Sequence, residues 1–506
     1  MKSHFIEQTS RVGAASRAAC LGLAVCALAV AGCRTTKEVL DDYERKIVVG
    51  NYAAAVPEVT ELAEKQDGSQ QMWRLLSASA NYMADDKAQA LRQFDAAEDV
   101  FRKNDLTSVF AQAGQGALAM MTNDKAFPYD GGGQDRIFTC IYRFIDFACG
   151  GNSDYARVEL NRAAQYQDNW QYDRRKDIAA ASAKLEKDAA EYQRSKGQAD
   201  ATTSAVRQRQ SSQVLANPDF AAKVRSNCGF DVSTSGDLSM LSRKDYTNVY
   251  MLHLAGVFRW LNGDSDLNML RDAASFAPGN SVVARDFAEL SAGKAPVDQV
   301  WIWVEDGLCP TREEWRIDLP LVILPYVNRY VLYAGMAFPK LRERQPGAVS
   351  WTVSAAGASS PFAPLADVDG LVRTEFDVYM RGALVREITR TIVKVGVQAA
   401  LGAAAEAAER RQEKKGGKSG EYWSLKLAQT GVAVWAAATT GADLRSWTSL
   451  PKSVKVARVT RPADGKVVVN ADSQRIEIPV PKGNSMVFVR KPAPAAIPTV
   501  KVASWR

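Results

Sequence analysis

Apolar positions early in the chain recur every three to four residues, and from Val297 onward many recur every two. Val39, Leu40, Tyr43 and Ile47 set the helical period behind Thr35 and Glu38. That spacing is a capping box, a hydroxyl on one free backbone amide and a carboxylate on another. Residues 35 to about 190 read as helices joined by short turns. Asp173 to Lys196 predicts a long charged helix, and Gly197 to Asn217, rich in Gln, Ser, Thr and Ala, a mobile polar stretch. A helix pair resumes at Tyr246 and stops near Pro278-Gly279-Asn280. Beyond it Val300–Val304, Ile317–Val322 and Trp351–Val353 predict strands, and residues 354–361 an Ala/Gly/Ser-rich loop. Helices follow over Val368–Met380 and Ala383–Arg411. Val454–Val459, Lys466–Val469, Arg475–Pro479 and Met486–Arg490 predict short alternating strands, and Lys491 to Arg506, with Pro492, Pro494 and Pro498, an extended tail.

The expected fold class is therefore α+β: an N-terminal α-helical repeat domain followed by a mixed β-rich domain with an inserted helical hairpin. The boundaries fall at residues 1–32, 33–190, 191–243, 244–295, 296–490 (hairpin at about 383–442) and 491–506. The turns carry internal similarity. Gly50-Asn51-Tyr52 precedes Ala55, Asn152-Ser153-Asp154-Tyr155 precedes Ala156 and Ala163, and Gly263-Asp264 precedes Ala273 and Ala274. A helix, a Gly/Asn-Asp turn and an Ala-rich second helix resemble tetratricopeptide repeats, although the spacings drift from the roughly 34-residue pattern. A generic helical bundle is the alternative. In the hairpin, the longest uncharged runs, Val395–Ala405 and Leu427–Ala442, fall short of the roughly 20 apolar residues that span a bilayer. A buried hairpin is expected there.

The first 33 residues give an address. A front bearing Lys2, Arg11 and Arg17 leads into the apolar run Ala19–Ala31, too short to span a membrane, as in a secretory signal. Val30-Ala31-Gly32-Cys33 resembles a bacterial lipobox. The resemblance implies cleavage before Cys33 and acylation of its thiol and new amino group; an ordinary signal with an incidental cysteine is the alternative. Arg34 in place of an aspartate favours the outer membrane, facing the periplasm.

Composition narrows the functions. The chain of 506 residues carries a net charge of +7. Removal of the signal, with its three basic residues and Glu7, leaves about +5, too mild to argue for nucleic acid. Cys140, Cys149, Cys228 and Cys309 remain after Cys20, Cys26 and Cys33 are set aside. Cys140 and Cys149 sit on one helix about 13 Å apart by rise, beyond disulfide reach. Of two histidines, His4 leaves with the signal, and His253 lies in an apolar stretch, Tyr250–Trp260. A Ser-His-Asp or Cys-His site would need it. No zinc spacing occurs, and no cofactor or metal is expected. Gly416-Gly417-Lys418-Ser419 lacks the earlier glycine and the preceding strand of a phosphate loop. Gly131-Gly132-Gly133 reads as a flexible lead into a helix at Asp135.

Two clusters are candidate interaction motifs. Arg386, Arg390 and Lys394 fall on one helical stripe, to meet lipid phosphate or cell-wall anions or to pair internally. Asp443, Arg445 and Trp447 fall on one side of an extended segment, to build a small recognition site or to brace a domain junction.

Several pieces in order resemble an uncharacterised family of Gram-negative envelope lipoproteins with tetratricopeptide-like repeats. They are Tyr129-Asp130-Gly131 with Asp135-Arg136, Ala156-Arg157-Val158-Glu159, Tyr246 with Asn248, and Glu305-Asp306-Gly307 with Pro310. Ala337-Phe338-Pro339, the Arg386 stripe and Ala442-Asp443-Leu444-Arg445-Ser446-Trp447 with Leu450 follow. The resemblance implies an envelope location and repeat architecture, and transfers no catalytic residue. The function expected is a lipid-anchored, non-enzymatic scaffold whose repeat groove binds a protein partner in envelope or cell-wall assembly. The alternatives are a glycan-active enzyme with paired carboxylates (Glu305 with Asp306, or Glu313 with Glu314), and a lipid- or glycan-binding protein using the basic stripe.

Overall fold

The computed structural model describes residues 35–103, 125, 128–170, 210, 212–229, 242–319, 331–413 and 420–505. The signal segment with Cys33, the charged helix expected at 173–196 and the Gly416–Ser419 segment lie outside the described residues. The chain divides between Lys46 and Ile47 into two units. In the first, helix α1 (Thr36–Val48) begins with the expected box: the Thr35 amide donates to Glu38 Oε2 at 2.7 Å and the Glu38 amide to Thr35 Oγ1 at 3.3 Å.

The second unit holds the rest. Helices α2 (Tyr52–Glu64), α3 (Gln70–Met83), α4 (87–103), α5 (Gly133–Cys149) and α6 (153–170) precede α7 (Pro218–Cys228). Helices α8 (Val249–Leu261), α9 (Asn268–Phe276) and α10 (Ser281–Ser291) follow. The turn glycines Gly50, Gly151 and Gly263 take φ of 79°, 75° and 80°, the left-handed conformation that ends a helix with no Cβ to clash.

Strand β1 (Gln299–Asp306) is buried along its whole length because both of its faces are covered. Val300, Ile302 and Val304 join Val487, Val489, Val467 and Val469 in a sheet-on-sheet core. Trp301, Trp303 and Glu305 meet the helices instead. The alternation is the period of a strand placed between two layers. Around β1 a five-stranded sheet has the order β11–β10–β1–β7–β6, with β10 (Asn484–Lys491) parallel to β1. β7 (Ser453–Thr460), β6 (Ala363–Asp367) and β11 (Thr499–Trp505) complete it by antiparallel pairing. The facing sheet is β5 (Ala358–Pro361), β4 (Trp351–Ala355), β8 (Lys466–Ala471) and β9 (Gln474–Pro479). A separate ribbon, β2 (Thr311–Asp318) with β3 (Gly335–Arg342), packs with α7 against α11 (Val368–Glu413), which turns back as α12 (Gly420–Thr439). The architecture is α+β, helical first and sheet-rich later.

Several expectations are corrected. The helix foreseen in two pieces around Arg381-Gly382 is one helix, α11. A lone glycine costs only about 1 kcal/mol in a helix, and Phe376, Met380, Leu384, Ile388, Ile392 and Val395 carry one buried stripe across it. The loop at 354–361 is a hairpin turned by Ala356 and Gly357, at φ 49° and 82°. The second strand lies at 311–318, earlier than foreseen. The extended tail foreseen over 491–506 belongs to the sheet: Ala493 and Ala496 are buried, and β11 pairs with β10. In the polar insert, Val214, Phe220 and Val224 are buried in the α11 core. Among the described residues no helix is long and apolar enough to cross a membrane. The hairpin is packed on itself, yet Trp423 and Leu427 remain exposed.

Candidate functional site

Two charged sites emerge, one closed and one open. The closed site is centred on Glu305 at the end of β1. Its carboxylate accepts from Tyr142 of α5 and Tyr250 of α8, both at 3.0 Å. Arg490 of β10 stands 3.8 Å from the same carboxylate and donates to the carbonyls of Glu305, Gly307 and Ser449. Burial pushes the Glu305 carboxyl up, against the pull of Arg490 and the two hydroxyls. Asp306 accepts from the Gly347 and Ala348 amides and pairs with Lys455 at 2.5 Å. The candidate carboxylate pair is therefore wholly engaged, with no cleft between its members. Glu313 pairs with Arg342, and Glu314 with Arg316 and the Ala442 amide.

His253 is equally enclosed. Trp303 Nε1 donates to its Nδ1 at 3.1 Å, which places the ring proton on Nε2, facing Asp286 at 2.8 Å. Asp286 also accepts from Trp301 and Arg458. With both nitrogens engaged and no exposure, this histidine rivets α8 and α10 to the sheet and has no nucleophile to serve.

The open site is a cavity of about 600 Å³. It is walled by the 128–135 segment, the β1–β2 connection with Arg312 of β2, α11 from Val372 to Arg386, and residues 443–450. The Gly68 carbonyl organises these walls by accepting from the Tyr129 amide and from Arg445 Nη1, each at 2.7 Å. Asp443 and Arg445 form a two-pronged pair, at 2.8 and 2.9 Å. Burial opposes the Arg445 charge, and Asp443 outweighs it and raises the arginine's pKa. Trp447 Nε1 donates to Ser79 Oγ of α3 at 2.7 Å. The 443–447 motif thus ties the segment after α12 to Gly68 and α3, and it lines a cavity.

The glycines at 131–133 serve close approach. A Cβ on Gly132 would lie 2.3 Å from Glu375, and one on Gly133 2.4 Å from Trp170. Beyond them, Asp135 accepts from the Tyr129 hydroxyl at 2.5 Å and the Gly132 amide at 3.0 Å, and Glu375 from the Gln134 amide at 2.8 Å. These two acids satisfy free amides at the start of α5. Burial raises the Asp135 carboxyl, and pushes the Cys309 thiol on the same wall up to about 11.

Arg312 differs from its neighbours. Its guanidinium lies over the rings of Phe376 (5.7 Å) and Tyr379 (4.8 Å), with a long 3.5 Å contact to the Asp443 carbonyl. Among the described residues no carboxylate reaches it, and no group bonds the buried Ser446 Oγ. Arg386 also lines the cavity, 5.8 Å from the Tyr379 ring. The rest of the basic stripe does not follow it. Arg390 is buried against Glu387 at 3.3 Å, and Lys394 is buried against Thr439 and the Trp435 ring. Arg312, Phe376 and Tyr379 were not legible as site residues, whereas Tyr129-Asp130-Gly131, Asp135, Pro310, Arg386, Asp443, Arg445 and Trp447 were singled out beforehand. The four cysteines among the described residues are free, Cys140 and Cys309 buried. Among the described residues no metal-ligating cluster occurs. Comparison with family models, curated proteins and solved structures returns no match to this chain.

Proposed function

We propose that this protein is a lipid-anchored binding protein of the bacterial envelope, acylated at Cys33 and held at the outer membrane facing the periplasm. Its helices are read as divergent tetratricopeptide-like pairs. It recognises its ligand or partner in the cavity at Arg312, rather than in a groove along the helices, and performs no chemistry there. Helices α5 and α8 already carry the chain's own sheet: Phe144 packs on Phe488, and Phe258 on Trp505.

The observation that carries this reading is the unequal state of the cavity's polar groups. Asp443 and Asp135 are occupied by Arg445, Tyr129 and the Gly132 amide, while Arg312, half-buried in the cavity wall with one long contact, keeps hydrogen-bonding capacity. Concave sites with aromatic walls and a few directed polar groups are what small-ligand recognition uses. The segments that carry the lipoprotein resemblance also meet here: Tyr129-Asp130-Gly131 with Asp135, Pro310, Arg386 and Asp443–Trp447.

The test is affinity purification from crosslinked envelopes of wild type, Cys33→Ala and Arg312→Gln. Wild type should sediment with membranes and retain a bound molecule or partner. Cys33→Ala should leave the membrane, and Arg312→Gln should stay on it but lose the bound species. Retention of the same species by Arg312→Gln would overturn the cavity reading.

A further inference from the structure

Resting on the cavity as the recognition site, we infer that its ligand is a small sugar bearing one carboxylate or phosphate, with the oxyanion on Arg312 and the sugar body against the aromatic wall. A guanidinium presents five N–H donors in a planar fork that matches the two oxygens of a carboxylate or phosphate. Where such a group is buried it is paired, as Arg445 is here with Asp443. Arg312 is fixed in place by two rings and one long contact, so its orientation is preset while its donors stay available. Asp135 acts on it through space without an ion-pair contact.

The rest of the wall selects the body. Tyr379 and Trp170, both half-buried, line it with ring surface. A pyranose offers an aliphatic C–H face to an aromatic ring and hydroxyls at its edge. The cavity, at about 600 Å³, falls within the range of small-molecule sites and accommodates one or two sugar units.

The experiment is isothermal titration of the full-length, detergent-solubilised protein with three ligands on one sugar body: N-acetylmuramic acid, N-acetylglucosamine 6-phosphate and neutral N-acetylglucosamine. One of the two acids should bind at least tenfold more tightly than the neutral sugar. Which acid it is assigns the anion as carboxylate or phosphate. Arg312→Gln should weaken that acid at least tenfold and leave the far-ultraviolet circular dichroism unchanged. Arg312→Lys, which keeps charge but not the fork, should fall between. Equal affinity for neutral and acidic sugars, or unchanged affinity in Arg312→Gln, overturns the inference. If no sugar binds while envelope-purified wild type still carries a species that Arg312→Gln loses, the ligand class is wrong and the binding-protein reading stands. If that species is absent too, both fall.

Discussion

The Glu305 centre and the Arg312 cavity draw on the same side chains: acids, arginines, tyrosines and tryptophan. Around Glu305 every strong group is matched, the carboxylate by two tyrosines and Arg490, and Arg490 in turn by three carbonyls. Around the cavity the acids are matched, and an arginine and a hydroxyl are not. The lesson is that function follows from what a charged group has left to give, not from its being charged or buried. Closed networks hold layers together, and a held but unmatched donor is what the proposed binding function rests on.

Removing a member of the closed network should have the largest effect. Glu305→Ala orphans two buried tyrosine hydroxyls and leaves Arg490 without its carboxylate. It should cost about 3–5 kcal/mol in urea denaturation. Next, His253→Phe strips Trp303 of its acceptor and Asp286 of a donor. Its loss should be about 1–3 kcal/mol, and less would mean that the rivet between α8, α10 and β1 is not needed. Trp447→Phe removes one buried bond, to Ser79, at the cavity's edge. About 1 kcal/mol is expected, with ligand binding weakened as the wall loosens.

A pH effect sharpens the contrast further. Asp146, buried in α5, is pushed up to about 6 by burial, against the pull of Lys501 and Lys87. The folded chain then holds a proton that the unfolded chain releases, from about pH 4 up to about pH 6. Stability from this group therefore falls as pH rises through that window. Asp146→Asn should flatten that slope in melting curves taken from pH 4 to pH 7. An unchanged slope would assign it to other carboxyls.

Much of the fold was legible, for local reasons. The box at Thr35 and Glu38, the turn glycines and the alternation of β1 are set by neighbours in sequence. What was missed depends on distant partners. The tail's prolines suggested an extended segment apart from the 296–490 domain, whereas β11 is held by pairing with β10. Gly131–Gly133 suggested flexibility, whereas Glu375 and Trp170 come too close for side chains there. For the site, Asp443, Arg445 and Trp447 were visible as a motif. Arg386, Arg390 and Lys394 were visible as a stripe, but only tertiary packing separates the cavity-lining member from the buried two, Arg390 paired with Glu387 and Lys394 set against α12. Arg312 was invisible. It is an ordinary strand residue until α11 brings Phe376 and Tyr379 beneath it.

The most direct measurement is the thermal melting of Arg490→Gln beside Arg312→Gln, one chemical change in the two regions. Arg490→Gln should lose several kcal/mol, as breaking a buried pair does. Arg312→Gln should stay within about 0.5 kcal/mol of wild type, as a change that breaks no internal bond network does. Destabilisation of Arg312→Gln to the level of Arg490→Gln would make Arg312 part of the framework and contradict the account of an arginine held for a ligand.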